Sequence, residues 1–190
     1  MLLSGFVSRT KILPDGKKQI TQIHLPGDFV DLQSFSLKVL DHDIVGLSDC
    51  DLALVSHSAL RHITEAHPHL TRVYWFLTNV DAAANREWEV WLGQRSALAW
   101  VASLFCELNI RLGLVGLKDD GGFDLPLTQT DLADCLGLTS VHVNRTLREL
   151  RERSLVTFRA GRVAIQDWEG LRSIAEYDPT YLYLDRRADR

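Results

Sequence analysis

Between Thr139 and Ile165 the chain carries a dense set of arginines whose guanidinium groups could bind phosphate or the edges of bases. The stretch holds six arginines against two acidic residues, Glu149 and Glu152, a local net charge of +4. The whole chain is acidic, with 21 basic and 25 acidic residues. A single basic strip on an acidic protein is typical of directed contact with phosphate rather than of general polyanion binding. The six are Arg145, Arg148, Arg151, Arg153, Arg159 and Arg162.

Two short helices are predicted to position the first part of this strip. The first helix is predicted to start at Thr128, whose hydroxyl can accept a hydrogen bond from a free backbone amide, with Asp131 in the favourable first turn. It is predicted to end at Gly137. Thr139 can cap a second helix, and the short connection between the two is typical of a helix-turn-helix. Apolar spacing predicts that the second helix buries Val143, Leu147 and Leu150.

A hairpin is predicted to follow the second helix. Ala160-Gly161 forms its turn, and Arg159 and Arg162 flank the tip, where a hairpin can touch phosphate. Two helices and this hairpin make the outline of a winged helix-turn-helix, whose second helix lies in the DNA major groove. The alternating apolar residues of its two strands are Val156 and Phe158, then Val163 and Ile165.

The side chains outside the buried stripe of the second helix are the candidates for contact with DNA. Arg145 is the candidate guanine reader, because a planar guanidinium can bond two acceptors at once. The alternative is an ordinary helical hairpin with a solvated charged face, and the local charge argues against it. The predicted DNA-binding residues are Gln129, Thr139, Ser140, Val141, His142, Asn144, Arg145, Arg148, Arg159 and Arg162.

This segment resembles the C-terminal domain of the Crp/Fnr family, bacterial transcription regulators related to the cyclic-AMP receptor protein. The run Val-His-Val-Asn-Arg-Thr at 141–146 is similar to that of one subgroup. Upstream, residues 3–9, the turn at 15–16 and the run Leu-Pro-Gly-Asp-Phe at 25–29 resemble the middle of the family's effector-binding β-roll. The resemblance covers nearly the whole chain and implies a homodimer that regulates transcription.

The resemblance also implies roles for single residues. Ser140, Val141 and Arg145 would occupy the base-reading positions, with His142 and Gln129 near phosphates. Of the three base-reading positions, only that of Arg145 holds the family's usual residue. The operator sequence of the cyclic-AMP receptor protein is therefore not carried over.

The predicted fold class is α+β, with three parts. Residues 1–68 form an incomplete antiparallel β-roll of the cyclic-nucleotide-binding type, 69–93 a dimerisation helix, and 94–190 the winged helix-turn-helix domain. A complete roll of the resembled family would carry further strands before Leu2. Three explanations are open: the gene start is placed too late, the chain has been cut, or the sensor domain is shortened. Incomplete rolls expose strand edges, and we therefore expect protected edges or a domain swap.

From His69 to Trp91 apolar residues recur at spacings of three and four, interrupted by Glu87. This pattern predicts a helix that pairs in parallel with its copy in a second subunit, so that two recognition helices lie one DNA turn apart. A helix packed against its own domain is the alternative, but Tyr74, Trp75, Phe76, Trp88 and Trp91 add more aromatic surface than one small domain easily buries. The predicted dimer interface is Leu70, Val73, Leu77, Val80, Ala84 and Trp91.

Two segments are predicted to join this helix to the DNA-binding motif. A second helix is expected over 94–112. The sequence Lys-Asp-Asp-Gly-Gly at 118–122 is expected to be a flexible connector.

No cofactor is predicted. The chain has no arginine between Arg9 and Arg61 to bind a nucleotide phosphate after the Gly27-Asp28 turn, so we predict no tight binding of cyclic AMP or cyclic GMP. The three cysteines, Cys50, Cys106 and Cys135, form no CxxC pair and predict no iron–sulfur cluster. A regulatory metal held by histidines is the weaker alternative, based on His24, His42, His57, His62, His67 and His69.

An enzyme is not predicted. The sequence has no phosphate-binding glycine loop, no HExxH and no GxSxG, and Asp41 and Asp43 are interpreted as solvated charges. The expected partners are double-stranded DNA, a second copy of the chain and RNA polymerase. No membrane contact is expected, because no uninterrupted apolar run approaches the roughly 18 residues of a spanning segment. We expect a cytoplasmic location. A protein-interaction module without sequence-specific DNA binding remains the alternative function.

Overall fold

The computed structural model describes residues 1–184 and shows an α+β fold. The N-terminal part contains two small antiparallel sheets. β1 (Leu2–Ser4) pairs with β5 (Asp51–Leu52), and β2 (Val7–Ile12), β3 (Lys18–His24) and β4 (Asp43–Gly46) form the second sheet in the order β3-β2-β4. A one-turn helix, α1 (Ser34–Leu37), lies between β3 and β4.

The two edges of the three-stranded sheet differ in how they are covered. The residues of β4 are all exposed. The edge strand β3 packs instead against α5 (Gln129–Leu136), and the side-chain amide of Gln19 donates to the carbonyl of Cys135 at 3.0 Å. One edge therefore has the protection that the sequence predicts.

Three helices follow the sheets. α2 (His57–Ala66) is capped by Ser56, whose hydroxyl accepts from the amide of Ala59. α3 (Pro68–Gln94) begins with a proline at its first turn, where the missing amide costs nothing. It is the predicted long helix. α4 (Ala97–Leu114) is capped by Ser96 and is the second helix expected over 94–112.

α4 is the central helix of the hydrophobic core. By length and composition it is apolar enough to cross a membrane, which the count of uninterrupted apolar residues did not reveal. In the structure its residues from Trp100 to Asn109 are all buried, among them Phe105 and Leu108. The core of the folded protein thus accounts for its apolar character.

Aromatic residues of α3 and α4 form a cluster inside the protomer. Trp88 and Trp91 stack with ring centroids 6.3 Å apart, and Trp100 meets each edge-on at 5.1 Å. Tyr181, in the 3-10 helix Pro179–Leu182, packs edge-on against Trp91. The expectation that Trp88 and Trp91 add surface for a partner is therefore wrong, because the chain's own core covers them.

A buried carboxylate links the helices around this cluster. The side chain of Glu107 in α4 accepts hydrogen bonds from Trp88 at 3.0 Å, Arg111 at 2.8 Å and Tyr181 at 2.7 Å. Arg111 also forms an ion pair with Asp28 at 2.7 Å. This network joins the segment after β3, both long helices and the C-terminal 3-10 helix.

The segment at 118–122 is a correction to the sequence prediction. It is a hairpin rather than a flexible connector, with β6 (Lys118–Asp119) paired to β7 (Gly122–Asp124). Gly122 has a φ of +130°, and a Cβ there would lie 1.9 Å from the carbonyl oxygen of Val163. Glycine at this position lets β7 approach and extend the wing sheet.

The C-terminal part completes the fold. After α5 come α6 (Ser140–Glu152), β8 (Val156–Arg159), β9 (Arg162–Ile165) and α7 (Trp168–Ala175). The wing sheet has the order β6-β7-β9-β8.

Candidate nucleic-acid interface

The first helix of the candidate interface, α5, is fixed at both ends as its sequence predicts. The hydroxyl of Thr128 accepts from the amide of Asp131 at 3.1 Å, and the Asp131 carboxylate accepts from the amide of Thr128 at 2.7 Å, a reciprocal capping box. Gly137 ends the helix in the left-handed conformation with a φ of 63°. These two signals set the short turn that precedes α6.

The second helix, α6, begins after Thr139, whose hydroxyl accepts from the amide of His142 at 3.3 Å. Its buried side chains are Val143, Thr146 and Leu150, whereas Leu147 is only partly buried. The predicted stripe therefore omits Thr146, which the structure adds to the buried face. Thr139 itself serves as a cap.

The outer face of α6 carries the predicted base-reading residues. Val141 is 79% exposed, Arg145 is exposed, and Ser140 is partly exposed. Within residues 1–184 the Arg145 guanidinium makes no ion pair or hydrogen bond. An exposed apolar side chain beside an unpaired guanidinium is a surface that can contact a thymine methyl and a guanine edge.

Asn144 is held by the protein rather than left free. Its side-chain amide donates to Oε1 of Gln129 at 2.6 Å and to the carbonyl of Ser140 at 3.0 Å. The bond to Gln129 ties α5 to α6. His142 is partly buried at the start of α6.

The wing forms as predicted, with Ala160 and Gly161 at its turn in the left-handed region, at φ values of 49° and 74°. The pairing of β8 with β9 places Arg159 opposite Arg162. Arg159 is exposed at the edge of the turn.

Arg162 has carboxylate partners that the sequence did not reveal. Its guanidinium lies 2.6 Å from Asp119 and 2.9 Å from Asp124. The hydrogen bond from Arg162 also lowers the pKa of the Asp119 carboxyl. The prediction that Arg162 contacts phosphate must therefore be revised, because two acidic groups of β6 and β7 already occupy its donors.

The predicted dimer face of α3 is smaller than the sequence implied. Val73 and Leu77 are 46% and 42% exposed, and Leu70 and Val80 are partly exposed. Trp91 and Ala84 are 1% and 5% exposed and lie inside the protomer, which corrects their assignment to the interface. The adjacent Trp75 and Phe76, at 69% and 49%, extend the exposed apolar surface of this helix.

The N-terminal sheet contains a buried arginine whose donors are occupied. Arg9 donates to the carbonyl of Val30 at 2.7 Å, to Gln22 at 2.6 Å and to the carboxylate of Asp81 in α3. Because no other arginine precedes Arg61, the guanidinium that a nucleotide phosphate would need is held by the protein's own acceptors.

The cysteines and histidines do not converge. Across residues 1–184 the structure has no group of three or more His, Cys, Asp or Glu side chains placed to hold a metal ion. Burial raises the pKa of Cys106 to about 12 and that of Cys135 well above its ordinary value. Both thiols are therefore harder to deprotonate than an exposed cysteine.

Comparison with known proteins extends these observations. A family model described as the Crp-like helix-turn-helix domain matches residues 101–174. The chain is 30% identical over 176 residues to the nitrogen fixation regulation protein FixK of Bradyrhizobium diazoefficiens, covering 92% of this chain and 72% of that protein. It is 27% identical over 167 residues to the transcriptional activator protein FnrL of Cereibacter sphaeroides, covering 86% and 66% respectively.

The solved structures agree with this relationship. The structure of FixK2 from Bradyrhizobium japonicum superposes with a TM-score of 0.80 at 25% identity, covering 94% of this chain and 87% of that one. The chain spans 66% of the length of FnrL and 72% of that of FixK. Because the chain has the capped helix pair and the wing and shows these matches, it belongs to the Crp/Fnr family of DNA-binding transcription regulators.

Proposed function

We propose that this protein regulates transcription as a homodimer that binds an inverted repeat in double-stranded DNA. The observation that carries the proposal is the outer face of α6, which presents Ser140, Val141 and Arg145, the last without an ion-pair partner among residues 1–184. A recognition helix reads bases with its N-terminal residues. Arg145 is assigned to guanine, and the exposed Val141 to a thymine methyl.

The other predicted DNA contacts are assigned to positioning. Gln129 and His142 lie near phosphates in this proposal, and Thr139 contributes by starting α6 at the correct residue. Asn144 orients Gln129 through its hydrogen bond. Contacts to phosphate set register and orientation without reading sequence.

Dimerisation is proposed through the exposed apolar residues of α3, chiefly Val73 and Leu77 with Leu70 and Val80 beside them. A parallel helix pair would place the two α6 helices on successive major grooves of one face of the DNA. The division into a sensor part at 1–68, the dimerisation helix at 69–93 and the DNA-binding part at 94–190 belongs to the same proposal, with α4 shared between the core and the DNA-binding part.

Regulation without a bound cofactor is proposed for the N-terminal part, since Arg9 is already engaged by Asp81 and Val30. The relatives are named as a transcriptional activator and as nitrogen fixation regulation proteins. A role in transcription implies RNA polymerase as a further partner and the cytoplasm as the place of action.

Selection of bound fragments from random double-stranded DNA tests the proposal directly. The parent is expected to enrich an inverted repeat with half-sites about one helical turn apart. Arg145→Ala is expected to lose on the order of 1 to 3 kcal/mol of binding free energy for that repeat and to relax sequence preference at one base pair of each half-site.

The matched control is Arg153→Ala at the C-terminal end of α6, about two turns beyond Arg145, because Arg153 is paired with Glu149. It is expected to enrich the same repeat as the parent. If the parent enriches nothing, the protein is instead an interaction module, and Arg145→Ala would then leave its function nearly unchanged.

A further inference from the structure

The arginines from α6 to β9 fall into two groups in the structure. Arg153 is paired with Glu149, and Arg162 with Asp119 and Asp124. For the remaining guanidinium groups the described part of the chain, residues 1–184, supplies no ion pair and no hydrogen-bond acceptor. Their charges are therefore available to a ligand. This unpaired group is Arg145, Arg148, Arg151 and Arg159.

Three of the unpaired arginines line one cleft. Arg148 and Arg151 come from α6 and Arg159 from the end of β8, with Gln129 and Asn144 adding uncharged polar atoms. Arg148 and Arg151 lie three residues apart and so share a face of the helix. The cleft has a volume of about 250 Å³, several times the roughly 30 Å³ that one water molecule occupies in the liquid.

The charge of the cleft selects an anion. Among residues 1–184 its lining includes three guanidinium groups and no carboxylate. A guanidinium presents planar, paired donors that fit two oxygens of one phosphate. Of the two acidic residues of α6, Glu149 is paired with Arg153, and neither Glu149 nor Glu152 lines the cleft.

The cleft also lies where a DNA strand is expected. It is bounded by α6 on one side and by the wing on the other. If α6 enters the major groove, the sugar-phosphate strand that borders the groove passes beside that helix, next to the wing. The anion that the cleft is built to hold is then a backbone phosphate of that strand.

We propose that this cleft binds one phosphate of the DNA backbone through Arg148, Arg151 and Arg159, which makes Arg151 a DNA contact. Arg162 takes a different role in this proposal. It ties β9 to β6 and β7 through Asp119 and Asp124, and so holds the wing in place without touching DNA. The inference rests on the proposed DNA-binding function.

The first test measures how binding depends on salt. The affinity of the parent and of Arg151→Gln for a fluorescent duplex carrying the selected repeat is measured from about 50 to about 200 mM salt. Arg151→Gln is expected to bind roughly tenfold more weakly at low salt, equally for the selected and a scrambled duplex. The slope of log affinity against log salt should become shallower by about one per bound subunit.

The second test identifies the phosphate. Single phosphates of the half-site are replaced by neutral methylphosphonates, one at a time, and each duplex is titrated with the parent and with Arg151→Gln. At one phosphate the methylphosphonate is expected to weaken binding by the parent but to have little effect on binding by Arg151→Gln, which already lacks the contact. This non-additivity places the side chain at that phosphate.

The control for the same duplexes is Arg153→Gln, because Arg153 is paired with Glu149 and does not line the cleft. It is expected to combine additively with every methylphosphonate. Unfolding midpoints of all variants are recorded, so that loss of binding by unfolding is recognised. Strict additivity of Arg151→Gln at every phosphate would overturn the proposal, as would coupling of Arg153→Gln to the same phosphate as Arg151. If the parent binds no duplex at all, it is the proposed function that fails.

Discussion

His24 is a buried histidine whose protonation the fold opposes. Its side chain is 3% exposed, Nδ1 lies 3.5 Å from the Asp28 carboxylate, and Nε2 has no hydrogen-bond partner among residues 1–184. Burial lowers the pKa of His24, and the charges of Arg9 and Arg111 add to that effect, so that together they outweigh the hydrogen bond to Asp28. His24 stays neutral in the folded protein at pH values where the unfolded chain binds a proton.

The free energy of unfolding is therefore expected to fall as the pH drops below about 6.5, the ordinary pKa of histidine. Below that value the unfolded state binds one more proton than the folded state, and the loss is at most about 1.4 kcal/mol per pH unit. Urea unfolding of the parent and of His24→Gln at pH 7.5, 6.5 and 5.5, values spaced around that pKa of about 6.5, measures the effect. The variant should show the smaller slope.

The control for this prediction is His62→Gln, which changes an exposed histidine of α2 and should keep the slope of the parent.

The neighbouring carboxyl of Asp28 titrates below the pH range of this experiment. Burial alone would raise the pKa of Asp28, but the charge of Arg111 and the hydrogen bond from His24 bring it down to about 2. Equal slopes for the parent and His24→Gln would assign the pH dependence to another group.

At the scale of the elements, Trp91 shows how a helix pattern can predict the right element and the wrong neighbour. Its position in the spacing of α3 predicts the dimer seam, but its ring is 1% exposed and packs against Trp88, Trp100 and Tyr177. Trp91→Ala is expected to destabilise the protomer by roughly 3 to 5 kcal/mol, the usual cost of deleting a buried tryptophan.

Urea unfolding monitored by circular dichroism tests this prediction, and the dependence of the midpoint on protein concentration separates the two roles. A core residue lowers the midpoint at every concentration, whereas an interface residue lowers it chiefly by removing the concentration dependence. Leu92→Ala, at the neighbouring and 42% exposed position, is the matched control with an expected small effect. A stability of Trp91→Ala equal to that of the control would contradict the assignment to the core.

The elements that the sequence predicts correctly are those fixed by local chemistry. Thr128 and Gly137 bound α5 because a hydroxyl cap and a left-handed glycine act within one turn of chain. The wing follows from alternation and a two-residue turn in the same way. Nothing local marks the partners of Arg162, because Asp119 and Asp124 lie some forty residues earlier and meet it only through the pairing of β7 with β9.

The sequence also predicts one part of the candidate site and misses another. Arg145 and Val141 are exposed as helix periodicity requires. The role of Arg151 depends on the distance between α6 and β8, which no spacing along one helix can reveal. The core location of Ala84 and Trp91 likewise depends on how α4 and the C-terminal residues pack on α3.

At the scale of the whole molecule, the proposed mechanism requires two copies held by α3. Val73 and Leu77 lie one turn apart on that helix and are 46% and 42% exposed. Contact of these apolar side chains with water costs free energy, and a second copy packed against them would remove that cost. Replacing both in Val73→Glu/Leu77→Glu would set like charges against each other across a parallel pair. The double variant is expected to be a folded monomer by light scattering, with the circular dichroism of the parent.

The affinity for DNA should depend on whether the protein is a monomer or a dimer. Each α6 still reads its half-site in the double variant, so its affinity for an isolated half-site is expected to match that of the parent. Its affinity for the full inverted repeat is expected to fall by about two orders of magnitude or more, because the second subunit is no longer held at a high effective concentration. Val90→Glu, at a 47% exposed position on the other side of α3, should remain dimeric and bind as the parent does. If Val73→Glu/Leu77→Glu stays dimeric, the subunits meet through another surface, and the spacing of the half-sites must then follow from that surface rather than from α3.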